Sequence, residues 1–334
     1  MKIINNYPGA SIKVVKDNKK ENIVYLSLKE EDNSYSHYYN FIAENDLTKE
    51  GAIYIQNIKK SAYYREKIKQ VPYIKTTKWQ RLDNYSVDAN GDYIIKVPAK
   101  STQEISLVPR YTLENLKDFL KKNHSPNATI KYDPIPEIVI GDKKRPAIIF
   151  IARQHPGETL SSFFVEGAIK EIISTPSLLK QYCFVFFPIV NTKGVETGVH
   201  RLIEGIDYNR SWNAEEKPFE IKHIEKRLAE YKILNFIDVH NDEVTKENYL
   251  RLNYKCPKDN IGGMKVLEVP SKYRRFLRAL IKQRKIINIF SYTANEYIYK
   301  EYKCHTILVE LSMCEKYENI EILGKKFIKE LCNE

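Results

Sequence analysis

The chain reads as an α/β fold, a mixed, mostly parallel sheet flanked by helices, preceded by an antiparallel β-sandwich. Three observations predict it. From Ala147 onward, apolar runs of strand length alternate with longer segments of helical period, as in a sheet wound between helices. Before Tyr111 the chain carries only short runs rich in Ile, Val and Tyr, separated by polar stretches such as Lys16-Asp17-Asn18-Lys19-Lys20. Asn90-Gly91 supplies the φ > 0 residues of a tight hairpin turn between two of those runs. At 334 residues the chain accommodates two domains, read as 1–112 and 113–334.

In order, strands are predicted over 22–28, 38–43, 52–58, 93–97 and 104–108, enough for two facing sheets. The pattern changes at Thr112, which reads as the N-cap of a helix whose Leu113, Leu116, Phe119 and Leu120 recur at helical spacing. Beyond the link Asp133-Pro-Ile-Pro136, strands are predicted at 147–151, 183–190, 233–239 and 306–311. Helices are predicted at 159–174, 219–231, 271–284 and 317–331.

Composition narrows the function. Hydrophobic residues at 43% and charged residues at 29% are ordinary for a folded soluble protein, and no apolar run approaches the length of a membrane span. The N-terminus lacks the apolar segment of an export signal, so neither export nor membrane insertion is expected. The five Cys are odd in number and irregularly spaced, which argues against a disulfide framework and for a reducing cytoplasm. The net charge of +11 is spread, +5 before residue 113 and +6 after it, without the basic block expected of a nucleic-acid surface.

The chemistry concentrates around His155-Pro-Gly-Glu158, on a tight loop between the first strand of the alternating part and its helix. An imidazole and a carboxylate three residues apart can face one point, and two His with one Glu hold zinc with its fourth position open. Ligands of open α/β sheets gather at the carboxyl ends of the strands. There His155 follows the first strand, Asn191 the second, His240 ends the third and Glu310 lies late in the fourth. Between the second and third strands lie Gly198-Val-His-Arg201 and Gly205-Ile-Asp-Tyr-Asn209-Arg210-Ser-Trp212, rich in groups that can hold a carboxylate.

These segments, with Asp238-Val-His240 and Val309-Glu310, come in the order seen in zinc metallocarboxypeptidases. They most resemble the cytosolic carboxypeptidase branch, in which a β-sandwich precedes the catalytic domain; Tyr7-Pro-Gly-Ala-Ser-Ile12 and Arg110-Tyr-Thr-Leu-Glu-Asn-Leu resemble that branch's N-terminal part. The resemblance implies one zinc per chain, held by His155, Glu158 and His240, with zinc-activated water as nucleophile and Glu310 as general base. It implies that Arg201 stabilises the oxyanion, that Asn209 and Arg210 grip the substrate's terminal carboxylate, and that a Tyr closes over the substrate. Tyr292 is chosen for that role among Tyr292, Tyr297, Tyr299 and Tyr302. Asp238, two residues before His240 on a strand, should point to the same side, where a hydrogen bond to the ligand is one role open to it.

The implied activity is removal of a C-terminal amino acid from a peptide or protein. Two departures alter the pocket wall: Asn191-Thr-Lys-Gly194 stands where relatives commonly read Asn-Pro-Asp-Gly, and Asn241-Asp242-Glu243 where Gly is common. The alternatives are a zinc deacylase of N-acyl amino acids and a non-catalytic binder of C-terminal tails, for which Glu310 would have no use. Oligomeric state is not readable. The other histidines read as packing or surface: His37 stands among Tyr and Lys, and His124, His200, His223 and His305 have no partner at ligand spacing.

Overall fold

The computed structural model describes residues 1–31, 36–62, 71–253, 260–267 and 293–332. The helix expected over 271–284, Tyr292 and Cys256 lie outside them.

The N-terminal part forms two five-stranded sheets. One is assembled from Lys2–Ile4, Asn40–Asn45, Ser101–Ser106, Tyr73–Lys75 and Trp79–Arg81, the other from Lys13–Asn18, Ile23–Ser27, Gly51–Gln56, Tyr93–Val97 and Tyr85–Val87. Alternation puts Val24, Leu26, Ile53, Ile55, Ile95 and Val97 into a shared interior. Two expectations need correction. The sandwich is not wholly antiparallel, because Ile23–Ser27 and Gly51–Gln56 pair in parallel. The Asn90-Gly91 turn is a longer loop between Val87 and Tyr93 in which only Gly91 takes positive φ, closed by its N–H on the Asp88 carbonyl at 3.0 Å.

Helix Leu113–Lys122 opens as expected at Thr112, whose backbone N–H and hydroxyl both donate to Asn115 Oδ1 at 2.9 Å. A nine-stranded sheet follows. Its central strands, Cys183–Phe187, Ala147–Ala152, Ile233–Asp242 and His305–Ser312, run parallel. Antiparallel pairings flank them on both sides: Ala128–Lys131 with Glu137–Ile140, and Tyr249–Leu252 against the 305–312 strand. These flanking strands, each of four residues, were not read from the sequence.

Each central strand is buried on both faces, so its residues divide by parity. Ile148, Phe150 and Ala152 join the cluster that contains helices Leu160–Ser174 and Tyr317–Leu331 and continues into the N-terminal sheets. Ala147, Ile149 and Ile151 join Trp212, Ile221, Ile224 and Ile298, on the side of helices Phe219–Leu228 and Ala294–Tyr302. The 160–174 and 317–331 helices touch at paired glycines. A Cβ on Gly167 would collide with the Glu321 carbonyl and one on Gly324 with the Phe164 carbonyl, so only Gly permits the approach.

The strand 233–242 outruns its expected end at 239, and this matters for the site. His240 lies inside the ladder, in register with Glu310 of the neighbouring parallel strand, so the two side chains sit side by side.

Candidate metal centre

His155, Glu158 and His240 converge. Glu158 Oε1 lies 2.6 Å from His155 Nδ1 and Oε2 lies 2.8 Å from His240 Nδ1, and all three residues are buried. The Glu158 carboxylate also accepts from the Asn241 backbone N–H at 3.1 Å. Each imidazole is held at its other nitrogen by a carboxylate. His155 Nε2 is 3.1 Å from Asp207 Oδ1, and His240 Nε2 is 3.0 Å from Asp238 Oδ1. Paired this way, each ring presents Nδ1 to one point, the arrangement that prepares histidine to ligate a metal. The donor set of two imidazoles and one carboxylate fits a zinc-like divalent ion.

The electrostatics follow from packing acids and bases together without water. Burial alone would raise the Glu158 carboxyl, but the adjacent His155 and His240 hold it well below the usual carboxylate range. Burial is the largest influence on His155 and would lower it, yet Glu158 and the Asp207 hydrogen bond together outweigh it and the ring is raised; Asp238 and Glu158 do the same, more strongly, for His240.

The loop is shaped by residues the sequence reading passed over. Arg153 takes positive φ and buries its guanidinium under the turn. Its Nε and one terminal nitrogen donate to the Pro156 carbonyl, Nε at 2.8 Å, and the other terminal nitrogen reaches the Tyr111 carbonyl at 3.1 Å and Ser162 Oγ at 2.9 Å. Gln154 bridges the fully buried Trp212 indole (2.7 Å) and Asp238 (2.8 Å). Asp207, within the quoted Gly205–Trp212 segment but given no role there, serves two masters: besides His155, it accepts from Arg201 Nε at 2.8 Å and from a second Arg201 nitrogen at 2.7 Å. Only the fold could reveal these partners, because Gln154 and Asp238 are 84 residues apart.

Arg201, Asn209, Arg210 and Glu310 line one pocket of about 200 Å³ with the three convergent residues. Arg201 is half-buried and Arg210 exposed, its guanidinium reaching back to the Asn209 carbonyl at 3.2 Å. The Asn209 side chain is engaged already, with Nδ2 3.2 Å from His240 Nε2 and Oδ1 accepting from the Ala294 N–H at 2.9 Å. Glu310 is half-buried, and burial pushes its carboxyl up to about 8, with Glu158, Asp242 and Glu243 adding to the rise and His240 opposing it. Of the alternatives to Tyr292, Tyr297 packs on Trp212 and Lys217 and Tyr302 on the 219–228 helix, and neither lines the pocket.

The N-terminal sheets press on the segment that carries Arg201. Glu31 accepts from the backbone N–H groups of His200, Arg201 and Leu202, the last two at 3.0 Å, and the Gly9 N–H donates to the Glu196 carbonyl at 3.0 Å. Here lies a second cluster, His37, His200 and Glu243, all buried. The fold brings His37 and His200, read from the sequence as packing or surface, into one buried group with Glu243. Burial lowers His37 well below its ordinary value and His200 to about 4, while burial and then Glu158 raise Glu243.

Known proteins share the fold, and others are similar in sequence over part of the chain. A metallo-carboxypeptidase from Burkholderia cenocepacia superposes with a TM-score of 0.79 at 17% identity over 99% of this chain and 98% of that one. One from Pseudomonas aeruginosa, solved with (2-guanidinoethylmercapto)succinic acid, gives 0.76 at 17% identity over 100% and 98%. In sequence, cytosolic carboxypeptidase 1 of Danio rerio is 33% identical over 180 residues, covering 49% of this chain and 15% of that protein. Cytosolic carboxypeptidase 3 of Mus musculus is 28% identical over 164 residues, 46% and 16% of the two. The chain has the fold of these metallo-carboxypeptidases, and about half of it is similar in sequence to cytosolic carboxypeptidases. No family model matches it. The matched part is under a fifth of either curated relative, whereas the carboxypeptidase structures match end to end. Among the described residues no helix is long and apolar enough to cross a membrane.

Proposed function

We propose that the chain is a zinc-dependent carboxypeptidase that hydrolyses the last peptide bond of a peptide or protein, and acts in the cytoplasm as its relatives' names suggest. The observation that carries the proposal is the convergence of both Nδ1 atoms on the Glu158 carboxylate, beside Glu310 and above a pocket walled by two arginines. His155, Glu158 and His240 would hold the zinc, which supplies a Lewis acid that makes water nucleophilic near neutral pH.

The remaining roles belong to the chain's own residues. Glu310, in register with His240 and lining the same pocket, takes the proton from the attacking water and delivers it to the leaving amine. Arg201, locked in direction by Asp207, faces the charge that develops on the carbonyl oxygen. Arg210 presents a planar fork suited to two carboxylate oxygens, with Asn209 beside it, and that grip restricts cleavage to the chain end. Residues 1–112 act as a support that fixes the Arg201 segment through Glu31.

The test is a screen of peptides differing only in their last residue, with zinc-loaded protein and its Glu310→Gln variant side by side. Release of single C-terminal amino acids, lost in the variant by about 100-fold or more, is expected. Turnover of N-acyl amino acids without peptide cleavage would shift the assignment to a deacylase. No hydrolysis of either class by zinc-loaded protein would overturn it in favour of a binding role.

A further inference from the structure

The second cluster joins three distant parts of the chain. His37 precedes the 40–45 strand of the N-terminal sheets, His200 lies in the loop after helix Thr192–Thr197, and Glu243 immediately follows the 233–242 strand. One donor atom from each lies within 4.8 Å of the others, and His37, His200 and Glu243 are 2%, 1% and 5% exposed. His200 Nε2 stands 3.0 Å from Glu243 Oε1, and the His37 ring meets the His200 ring edge-on with centroids 4.7 Å apart. Neighbouring donors of a tetrahedral zinc with bonds of about 2.0–2.2 Å lie roughly 3.3–3.6 Å apart, so small side-chain adjustments bring the three donors to an ion's spacing.

Two further features fit a metal rather than an ordinary ion pair. Ser61 Oγ sits 2.6 Å from His37 Nδ1, which fixes that ring and turns Nε2 toward the cluster, as outer partners of ligand histidines do. Glu243 is a buried carboxylate that lines the same pocket as Glu158, and two such groups side by side are costly unless cations lie among them. Of the three, Glu243 borders that pocket. Gly157 of the first cluster's loop packs directly against His200, where a Cβ would collide with Nδ1, so the two clusters abut.

We propose that His37, His200 and Glu243 form a second divalent-metal site, suited to zinc or a like transition ion, which fastens the N-terminal sheets to the segment bearing Arg201. Its donor set repeats the first one, two imidazoles and a carboxylate, so the same ion satisfies both. The site pins His200 one residue before Arg201, while Glu31 holds the backbone of both. It does not depend on the carboxypeptidase reading.

Metal counting on the full chain tests it. Protein stripped with a chelator, reloaded with zinc and desalted should carry about two ions by mass spectrometry, and about one in each of His155→Ala, His37→Ala and Glu243→Gln. The double variant His37→Ala/His155→Ala should carry none. Cobalt loaded into His155→Ala should give a visible absorption band that is lost when His37→Ala is added. If His37→Ala fails to fold, Glu243→Gln, which keeps the side-chain shape, provides the same comparison. One ion in the wild type and none in folded His155→Ala would overturn the second site and leave the first intact. A single ion kept by His155→Ala and lost on His37→Ala would support the second site and remove the zinc from the proposed active centre.

Discussion

Asp207 is the most exposed point of the reasoning about the metal centre, because one carboxylate holds both a ligand ring and an arginine. Its Oδ1 meets His155 Nε2 at 3.1 Å and its Oδ2 takes two donors from Arg201 at 2.8 and 2.7 Å. Burial would raise this carboxyl, but the His155 hydrogen bond, with the charges of His155, Arg201 and Arg210, holds it well below the usual range. Asparagine has the same shape and one acceptor. If its oxygen faces His155 its amide N–H₂ faces the guanidinium, donor against donor, and the reverse orientation fails the ring. A hydrogen bond to a charged group contributes roughly 1.5–3 kcal/mol, about 10- to 150-fold, in line with the 10- to 100-fold typical of partners behind a metal ligand. Asp207→Asn should therefore weaken zinc binding about 10- to 100-fold, read as competition with a chromophoric chelator on metal-free protein of unchanged circular dichroism. A dissociation constant within about twofold of wild type would refute the claim that Asp207 prepares His155.

Three other outcomes follow from named contacts. Replacing Arg153 by Met removes its bonds to the Pro156 and Tyr111 carbonyls and Ser162 under the metal loop, and should lower stability by about 3 kcal/mol in urea unfolding; a loss under about 1 kcal/mol would mean the loop holds itself. Glu166 is pushed up to about 7 by burial, though Tyr111 donates to it at 2.8 Å. Its folded pKa exceeds the unfolded one, so its contribution to stability declines as pH rises from about 4.5 to about 7 and stays reduced above that. In Glu166→Gln that decline should vanish, as comparison of urea midpoints at about pH 5 and about pH 8 will reveal; parallel curves would contradict it. Finally, Glu31→Gln loosens three backbone N–H groups around Arg201, and should reduce kcat about 10-fold with KM little changed. A raised KM with kcat unchanged would assign Glu31 to substrate binding instead.

Much of the molecule was legible in the chain. Strand runs such as 147–152 and the closing helix 317–331 carry their periodicity openly, because burial on both faces or one face imposes it. His155-Pro-Gly-Glu158, Asp238-Val-His240 and Glu310 stood out because acids and bases at strand ends are unusual in apolar surroundings. What the sequence could not express is pairing across the chain. The short flanking strands 128–131 and 249–252 exist only because a neighbouring edge accepts them. The roles of Asp207, Gln154 and Arg153 are defined by partners on other elements, and His37 gains His200 and Glu243 only when the N-terminal sheets meet the 196–202 segment. Residue types and local spacing determined which groups could do chemistry, while tertiary packing decided which of them meet, since a ligand set is a property of distance in space and not along the chain.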